Sequence, residues 1–324
     1  MTIAEFGNPA ILGGRTPFLS VDTYLAITGE GDFNMASVLS VILIIPCVLI
    51  FILHNYVLRG KGYATITGKG MAAEPRPIVP IIRIPFMIIS ISVAVIVLMN
   101  FGVILMGSFV KIVGVDNTFV IDHVMNTQSN IAIWNSIKVS LGAGLVGAVI
   151  GTLLAYVIMR GKFPGKHFME MIALSGFALP GTVIGAIWII ILNCVFRFLA
   201  VGVEAGISKL HQISIEIEEA AADQGADFIT IFFKVVLPIM FSAFVAGFIY
   251  TFMTTMMSLS SVIFLVTPGF DLASVYIYLT AQLGELGLAS ATTIKVIVIV
   301  GISMGILKII AKKTGLDVST KQGA

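Results

Sequence analysis

Long apolar stretches alternate with short polar ones along this chain, and the apolar stretches are long enough to cross a membrane. The runs 35–53 and 81–110 match or exceed the roughly 20 helical residues that span a ~30 Å hydrocarbon core. Hydropathy predicts spanning helices near 36–58, 83–110, 136–159, 168–196, 236–266 and 291–311. The expected fold class is therefore all-α, a polytopic helical membrane protein with about six to seven apolar helices.

The amino-acid composition is also that of a membrane protein. Hydrophobic residues make up 58% of the chain and charged residues 11%, whereas soluble domains have about a quarter charged. The mean hydropathy is +1.05. The expected surrounding is therefore membrane lipid. A net charge of +2 gives no reason to expect a nucleic-acid partner. The segment after Met1 has neither the basic nor the apolar region of a cleavable signal, so insertion is expected to rely on the spans.

The loops differ in charge, which predicts their sides. The loops 59–83 and 160–167 are rich in Lys and Arg and are expected in the cytoplasm. The loops 112–135 and 267–290 contain acids but no Lys or Arg, and should face outward. The lysine-rich C-terminal end should be cytoplasmic, which makes the segment 197–235 cytoplasmic as well.

This sidedness conflicts with the length of one apolar stretch. Two cytoplasmic loops must be joined by an even number of crossings, yet residues 168–196 are enough for one spanning helix and too short for two. Either this stretch is a re-entrant pair broken at Leu179-Pro180-Gly181, or part of a helix is missing.

An internal repeat is also predicted. Residues 17–45 resemble residues 269–300, since each has an aromatic residue, then Leu, Ser-Val, Tyr-Leu, Gly-Glu and an Ala-Ser that opens an apolar helix. The expected organisation is a tail of a first repeat in 1–58, a basic linker in 59–82, a second repeat in 83–311 and a cytoplasmic tail in 312–324. Proteins built from two such halves commonly place the pathway between them.

The polar segment 217–240 carries four acids and a glycine between two apolar regions. Ser214 is the expected N-cap of a short helix whose first turns hold acids, which the helix dipole favours. Gly225 suits a left-handed end of that helix, and Asp227 can cap a second helix that closes before Pro238. A helix-turn-helix should therefore project from the membrane, with Phe228, Ile231 and Phe232 forming an apolar face that docks into a partner.

The same residues resemble a known motif. Glu219-Ala220-Ala221, three residues, Gly225, nine residues and Val235-x-Leu237-Pro238 are similar to the EAA motif of ABC importer permeases, with Val in place of Ile. In that family the motif forms a coupling helix that inserts into the ATP-binding subunit. The resemblance implies a docking site formed by Glu219, Ala220, Ala221, Gly225, Ala226, Asp227, Phe228, Leu237 and Pro238. The alternative is an amphipathic loop helix packed on its own membrane domain.

Four further segments resemble the fused permeases for iron(III) and aminoethylphosphonate: 6–14, 63–70, 134–160 and 178–185. The resemblance implies an importer subunit in the inner membrane of a prokaryote, with iron(III) the first candidate solute. It implies an extracytoplasmic binding protein, a separate ATPase and a second permease half or dimer partner, and no cofactor or enzymatic activity on this chain, since the partner binds ATP. Two features depart from that branch: no first half precedes 6–14, and about one helix is missing between 185 and 195.

Two other functions remain open. An ion-coupled secondary transporter would need ionisable residues in mid-membrane, and Asp and Glu are absent from the central part of every predicted span, which favours an externally powered permease. A non-transporting fragment or scaffold of a split permease is compatible with the missing parts.

Lesser polar residues point to no second site. His54, His123, His167 and His211 are scattered without ligand spacing, so no metal site is expected. Asn100, Asn193 and Ser258 are candidates for lining a pathway or for local hydrogen bonding.

Overall fold

A computed structural model describes residues 6–14, 16–58, 80–161, 165–175, 187–211, 213–266 and 269–313. The helices are α1 (Gly7–Leu12), α2 (Leu19–Thr28), α3 (Phe33–Leu58), α4 (Pro80–Gly107), α5 (Asp122–Met125), α6 (Thr127–Arg160), α7 (Lys166–Ser175), α8 (Ile187–Leu210), α9 (Glu216–Asp223), α10 (Phe228–Ile231), α11 (Leu237–Met257), α12 (Ala273–Gln282) and α13 (Leu286–Lys313). A π-helical turn, Phe232–Val236, joins α10 to α11. A two-stranded antiparallel hairpin, β1 (Val110–Ile112) and β2 (Asp116–Phe119), follows α4.

Six of the described helices are long and apolar enough to cross a membrane: α3, α4, α6, α8, α11 and α13. The predicted all-α, polytopic fold class is confirmed, and the hairpin is a small addition outside the spans. Local capping sets where some spans begin. Asp32 accepts hydrogen bonds from the first amides of α3, and Asn126 accepts one from the Ser129 amide of α6.

Helices α6, α8 and α11 form the centre of the molecule. Gly142 lies against Ile191 and Gly151 against Gly202, so α6 and α8 run in the same direction. Helix α11 runs the opposite way, because Phe198 meets Tyr250 and Gly206 meets Met240. Small residues let these backbones approach closely, as the Gly147-x-x-x-Gly151 pattern of α6 indicates.

The parallel course of α6 and α8 requires a further crossing between them, as the predicted sidedness does. The sequence placed residues 197–210 in a polar loop, but α8 continues to Leu210, so the loop assignment of these residues is wrong. That further crossing would fall on residues 166–186, of which the structure describes α7, while 176–186 lie outside the described residues. Hydropathy missed the continuation of α8 because Arg197 and Glu204 lower the local average, although Arg197 donates a hydrogen bond to Ser260 inside the protein.

A prediction follows from the close approach of α6 and α8. A Cβ at Gly206 would collide with the Cβ of Ala155, whereas a Cβ at Gly301 on α13 would meet nothing within 4 Å. We expect Gly206→Ala to lower the free energy of unfolding by about 2 kcal/mol, because both helices must shift. Gly301→Ala is the control and should change it little. Unfolding by SDS titration of the purified chain measures both, and equal effects would contradict the close contact.

The hairpin and the short helices α1, α2, α5 and α12 lie at the end opposite α9. There Phe6, Tyr24, Phe264 and Tyr278 form an aromatic cluster, with the rings of Tyr24 and Tyr278 centred 6.4 Å apart. The helices α2 and α12 each have 10 residues, and each precedes a long apolar helix. The two similar segments thus meet in space; the repeat itself stays a prediction.

Several predicted features lie outside the described residues. These are most of the linker 59–82, the segment 63–70, the whole of the segment 178–185 with the break at 179–181, and the tail beyond 313.

Candidate functional site

The segment between α8 and α11 folds as the predicted helix-turn-helix. Helix α9 ends at a turn in which Gly225 has a φ of +86°, a left-handed conformation that glycine adopts without strain. The carboxylate of Asp227 then accepts a hydrogen bond from the Thr230 amide and caps α10. Pro238 lies in the first turn of α11, directly after the π-helical turn.

The beginning of α9 differs from the prediction. Ile215, not Ser214, occupies the N-cap position and makes no side-chain capping bond. The Ser214 hydroxyl still accepts a hydrogen bond from the Glu216 amide at 3.3 Å. A serine one position before the cap therefore satisfies one of the free amides of the first turn.

The predicted apolar docking face is wrong for two of its three residues. Ile231 and Phe232 are buried against Tyr156, Leu210 and Met240 of the molecule's own core. These side chains hold the segment to the membrane domain and are not available to a partner. Nothing in the sequence pattern distinguished the inner face of α10 from its outer face.

The outward face of the segment carries other apolar side chains together with acids. Ile229 and Phe233 are 63% and 59% exposed and lie one helical turn apart. Ile215 and Ile217 are also about half exposed, at 47% and 46%. This outward face, defined by these four residues with Glu219 and Asp227, is a mixed apolar and acidic surface.

The residues of the EAA-like motif divide between the two faces. Glu219, Ala220, Gly225, Asp227 and Pro238 are exposed. Ala221, Ala226 and Leu237 are partly buried and pack against the cluster that contains Phe232. Phe228 begins α10. One set therefore anchors the segment, and the other set is open to solvent.

The Asp227 carboxyl lies on the outward face. Hydrogen bonds from the Thr230 side chain and backbone hold its pKa below the ordinary value. The carboxylate therefore stays ionised at neutral pH and keeps capping α10.

A buried ion pair that sequence analysis missed joins this segment to the core. Arg160, the last residue of α6, donates from Nε to Glu218 Oε1 at 2.7 Å, and from Nη2 to the Ile213 carbonyl at 3.0 Å. The Tyr156 hydroxyl donates to Glu218 Oε2 at 3.1 Å. The exposed side-chain fractions are 15% for Arg160 and 10% for Glu218. A displacement of α9 must therefore displace the end of α6 as well.

The sequence did hold a signal for this pair. Glu218 is adjacent to Glu219, and neighbouring residues of a helix point in different directions, so the two carboxylates have different surroundings, although the sequence does not say which of them faces inward. A buried carboxylate needs a cation, and Arg160 is the basic residue that ends an apolar span.

Within the described part of the chain, no three His, Cys, Asp or Glu side chains come together as a metal-binding group. The expectation that the chain holds no metal site or cofactor remains an expectation.

Two transport permeases are similar in sequence to most of this chain. It is 29% identical to the ferric transport system permease protein FbpB of Actinobacillus pleuropneumoniae over 315 residues, which is 90% of this chain and 46% of that protein. It is 27% identical to a putative ferric transport system permease protein FbpB of Haemophilus influenzae, over 85% of this chain and 47% of that protein. The chain thus spans about half the length of these relatives.

Shorter matches extend the comparison. The putrescine transport system permease protein PotI of Escherichia coli is 23% identical over 47% of this chain and 62% of its own length. No family model matches the chain. A bacterial ABC transporter involved in the import of the acidic polysaccharide alginate contains a structurally similar chain, with a TM-score of 0.51 at 16% identity, covering 72% of this chain and 98% of the other.

These matches establish the class. The chain is a multi-pass membrane protein that resembles ABC importer permeases, and its fold is that of an ABC importer permease-like transmembrane domain. The predicted resemblance to ABC importer permeases is confirmed. The ferric transport permeases match over 90% and 85% of this chain, and PotI matches over 47% of it.

Proposed function

We propose that this chain forms the membrane pathway of an ABC importer in the inner membrane of a prokaryote. An extracytoplasmic binding protein delivers a small solute, and a separate ATP-binding subunit docks on the outward face of the segment α9–α10. A second permease half, or a second copy of this chain, completes the pathway. ATP hydrolysis belongs to the partner, so this chain is a transport component and not an enzyme.

The observation that carries this proposal is the connection of an exposed surface to the core. The outward face is open, while Glu218 on the inner face of α9 is held by Arg160 at the end of α6. Force applied to α9 by a docked subunit is therefore delivered to a membrane-spanning helix.

Iron(III) is the first candidate solute. The two relatives that match over most of the chain are named as ferric transport permeases. Their names are the support for iron over aminoethylphosphonate.

The proposal requires the segment to lie in the cytoplasm, which side-specific labelling tests. Cys47 and Cys194, both free thiols, are first replaced by serine. A cysteine is then introduced by Asp227→Cys on the outward face. We expect an impermeant maleimide to label it in inverted vesicles and not in intact cells.

A matched variant serves as the control for labelling from the outer side of the membrane. Val115→Cys lies at the tip of the β1–β2 hairpin, where Val115 is 83% exposed. It should be labelled in intact cells and not in inverted vesicles. Labelling of Asp227→Cys from outside would exclude docking of a cytoplasmic ATPase.

A further inference from the structure

The long apolar helix α8 carries an arginine near its middle. Arg197 is partly exposed and lies well inside a helix that begins at Ile187 and ends at Leu210. An ionisable side chain at mid-membrane is costly, and it typically faces the protein interior and marks a solute or ion pathway. The EAA-like segment does not account for it, because Arg197 lies far along α8 from that end.

Arg197 faces an irregular segment that also lies at membrane depth. Residues 258–266 follow α11 without forming a helix. Val262 and Leu265 of this segment are buried against Val139 of α6 and Cys194 of α8. Non-helical backbone at this depth is tolerated where protein buries it or where it lines a cavity.

Two donors on one face of α8 point to this segment. Arg197 donates from Nη2 to the Ser260 hydroxyl at 3.2 Å, and Asn193, one turn earlier, donates to the Ser261 carbonyl at 2.8 Å. The hydroxyls of Ser258 and Ser261 lie 2.6 Å apart. Three serines, an amide and a guanidinium thus converge between α8 and the end of α11.

The polar contacts continue to the helices on either side. The Ser274 hydroxyl donates to the Ser258 carbonyl, and the Ser136 hydroxyl accepts from the Ala273 amide. Asn135 donates to the Asp271 carbonyl at 3.2 Å. This continuity holds the irregular segment in one position relative to α6 and α8, as a preorganised binding site requires.

We propose that Arg197, with Ser260 and Asn193, forms an oxyanion-binding site on the pathway, so that the solute passes as an oxyanion or as a metal ion carried with oxyanion ligands. This inference rests on the proposed function, because it assigns a substrate chemistry to the same permease. The guanidinium is always charged and presents a planar fork of donors that fits phosphate and carboxylate oxygens. Serine hydroxyls and the Asn193 amide supply neutral donors beside it. A bare cation would be repelled there.

The site is tested by binding to the full chain in lipid nanodiscs. One arm uses radiolabelled inorganic phosphate, the other iron-55 as ferric citrate, both at matched ionic strength in sodium chloride. We expect the wild-type chain to bind at least one probe, and Arg197→Gln to weaken that binding about tenfold, since a charged hydrogen-bonding partner is lost. Binding of phosphate alone assigns a free oxyanion, and binding of ferric citrate alone assigns a ligated ferric ion.

Two further variants separate recognition from folding. Arg197→Lys keeps the charge but loses the planar fork, so its binding should fall by about threefold while the chain stays folded. This variant decides the matter should Arg197→Gln not fold. Lys295→Gln, on α13, removes another partly buried cation whose amine contacts Asn130, and should leave binding unchanged.

The inference is overturned if the wild-type chain binds neither probe, or if the Arg197 variants bind as the wild type does. It is also overturned if Lys295→Gln weakens binding as much as Arg197→Gln. Copurification of an ATP-binding subunit with the same preparations is measured in parallel. If the ATP-binding subunit copurifies and the Arg197 variants bind the probes as the wild-type chain does, the inference is wrong and the proposed function stands. If no ATP-binding subunit copurifies with the wild-type chain, the result counts against the proposed function.

Discussion

Glu218→Ala is expected to lower the free energy of unfolding by about 3 kcal/mol, because it leaves the buried Arg160 guanidinium without its carboxylate. Glu219→Ala, at the next position of the same helix turn, should change it by no more than about 0.5 kcal/mol, since Glu219 is exposed. The two variants share the helix propensity and the dipole contribution of the substitution. The difference between them therefore reports the ion pair. SDS titration of the purified chain provides the measurement.

A double variant checks the cause. Glu218→Ala combined with Arg160→Met removes both charges, so no unpaired charge stays buried, and part of the lost free energy should return. If the single Glu218→Ala variant unfolds like the wild-type chain, the pair does not hold α9 to α6. The proposal that force on α9 reaches α6 through this ion pair would then be wrong.

Ile229→Asp and Phe233→Asp are expected to release a docked ATP-binding subunit while the chain stays folded. Both side chains are more than half exposed on the outward face. A docked subunit would bury a carboxylate at either position, where it would need a cation. We expect retention of the subunit to fall by on the order of tenfold, as for a hot-spot residue. Mass spectrometry of the subunit that copurifies with the tagged chain from its native membrane measures retention.

Val115→Asp is the matched control for this loss. It introduces the same carboxylate at an exposed apolar residue of the hairpin at the opposite end of the molecule. Retention should remain at the wild-type level. If Ile229→Asp and Phe233→Asp also leave it unchanged, the docking surface lies elsewhere on the chain.

Much of the architecture could be predicted from local patterns. Five of the six spanning helices begin or end within a few residues of their predicted positions on at least one side, because apolar runs of this length have few alternatives to a spanning helix. Gly225 and Asp227 were assigned their conformation and their capping role correctly, since each depends on the residue's own chemistry. The predicted docking residues themselves remain predictions.

The failures share a physical origin. Residues 197–210 were assigned to a loop because a hydropathy average treats Arg197 as if its side chain faced lipid. In the folded chain, Arg197 instead donates a hydrogen bond to the Ser260 hydroxyl. Ile231 and Phe232 were assigned to a docking face because amphipathicity shows that a helix has an apolar side but not what covers it.

The sequence by itself determined that this protein crosses a membrane several times, which loops carry the basic residues, and that an EAA-like segment lies before the span α11. These properties depend on composition and short-range spacing. Only the tertiary structure decided that α6 and α8 are parallel, that Glu218 and not Glu219 faces Arg160, and that Arg197 meets the irregular segment 258–266. Each of these depends on contacts between residues distant in the chain, and such contacts follow from how the helices pack and not from the order of the residues.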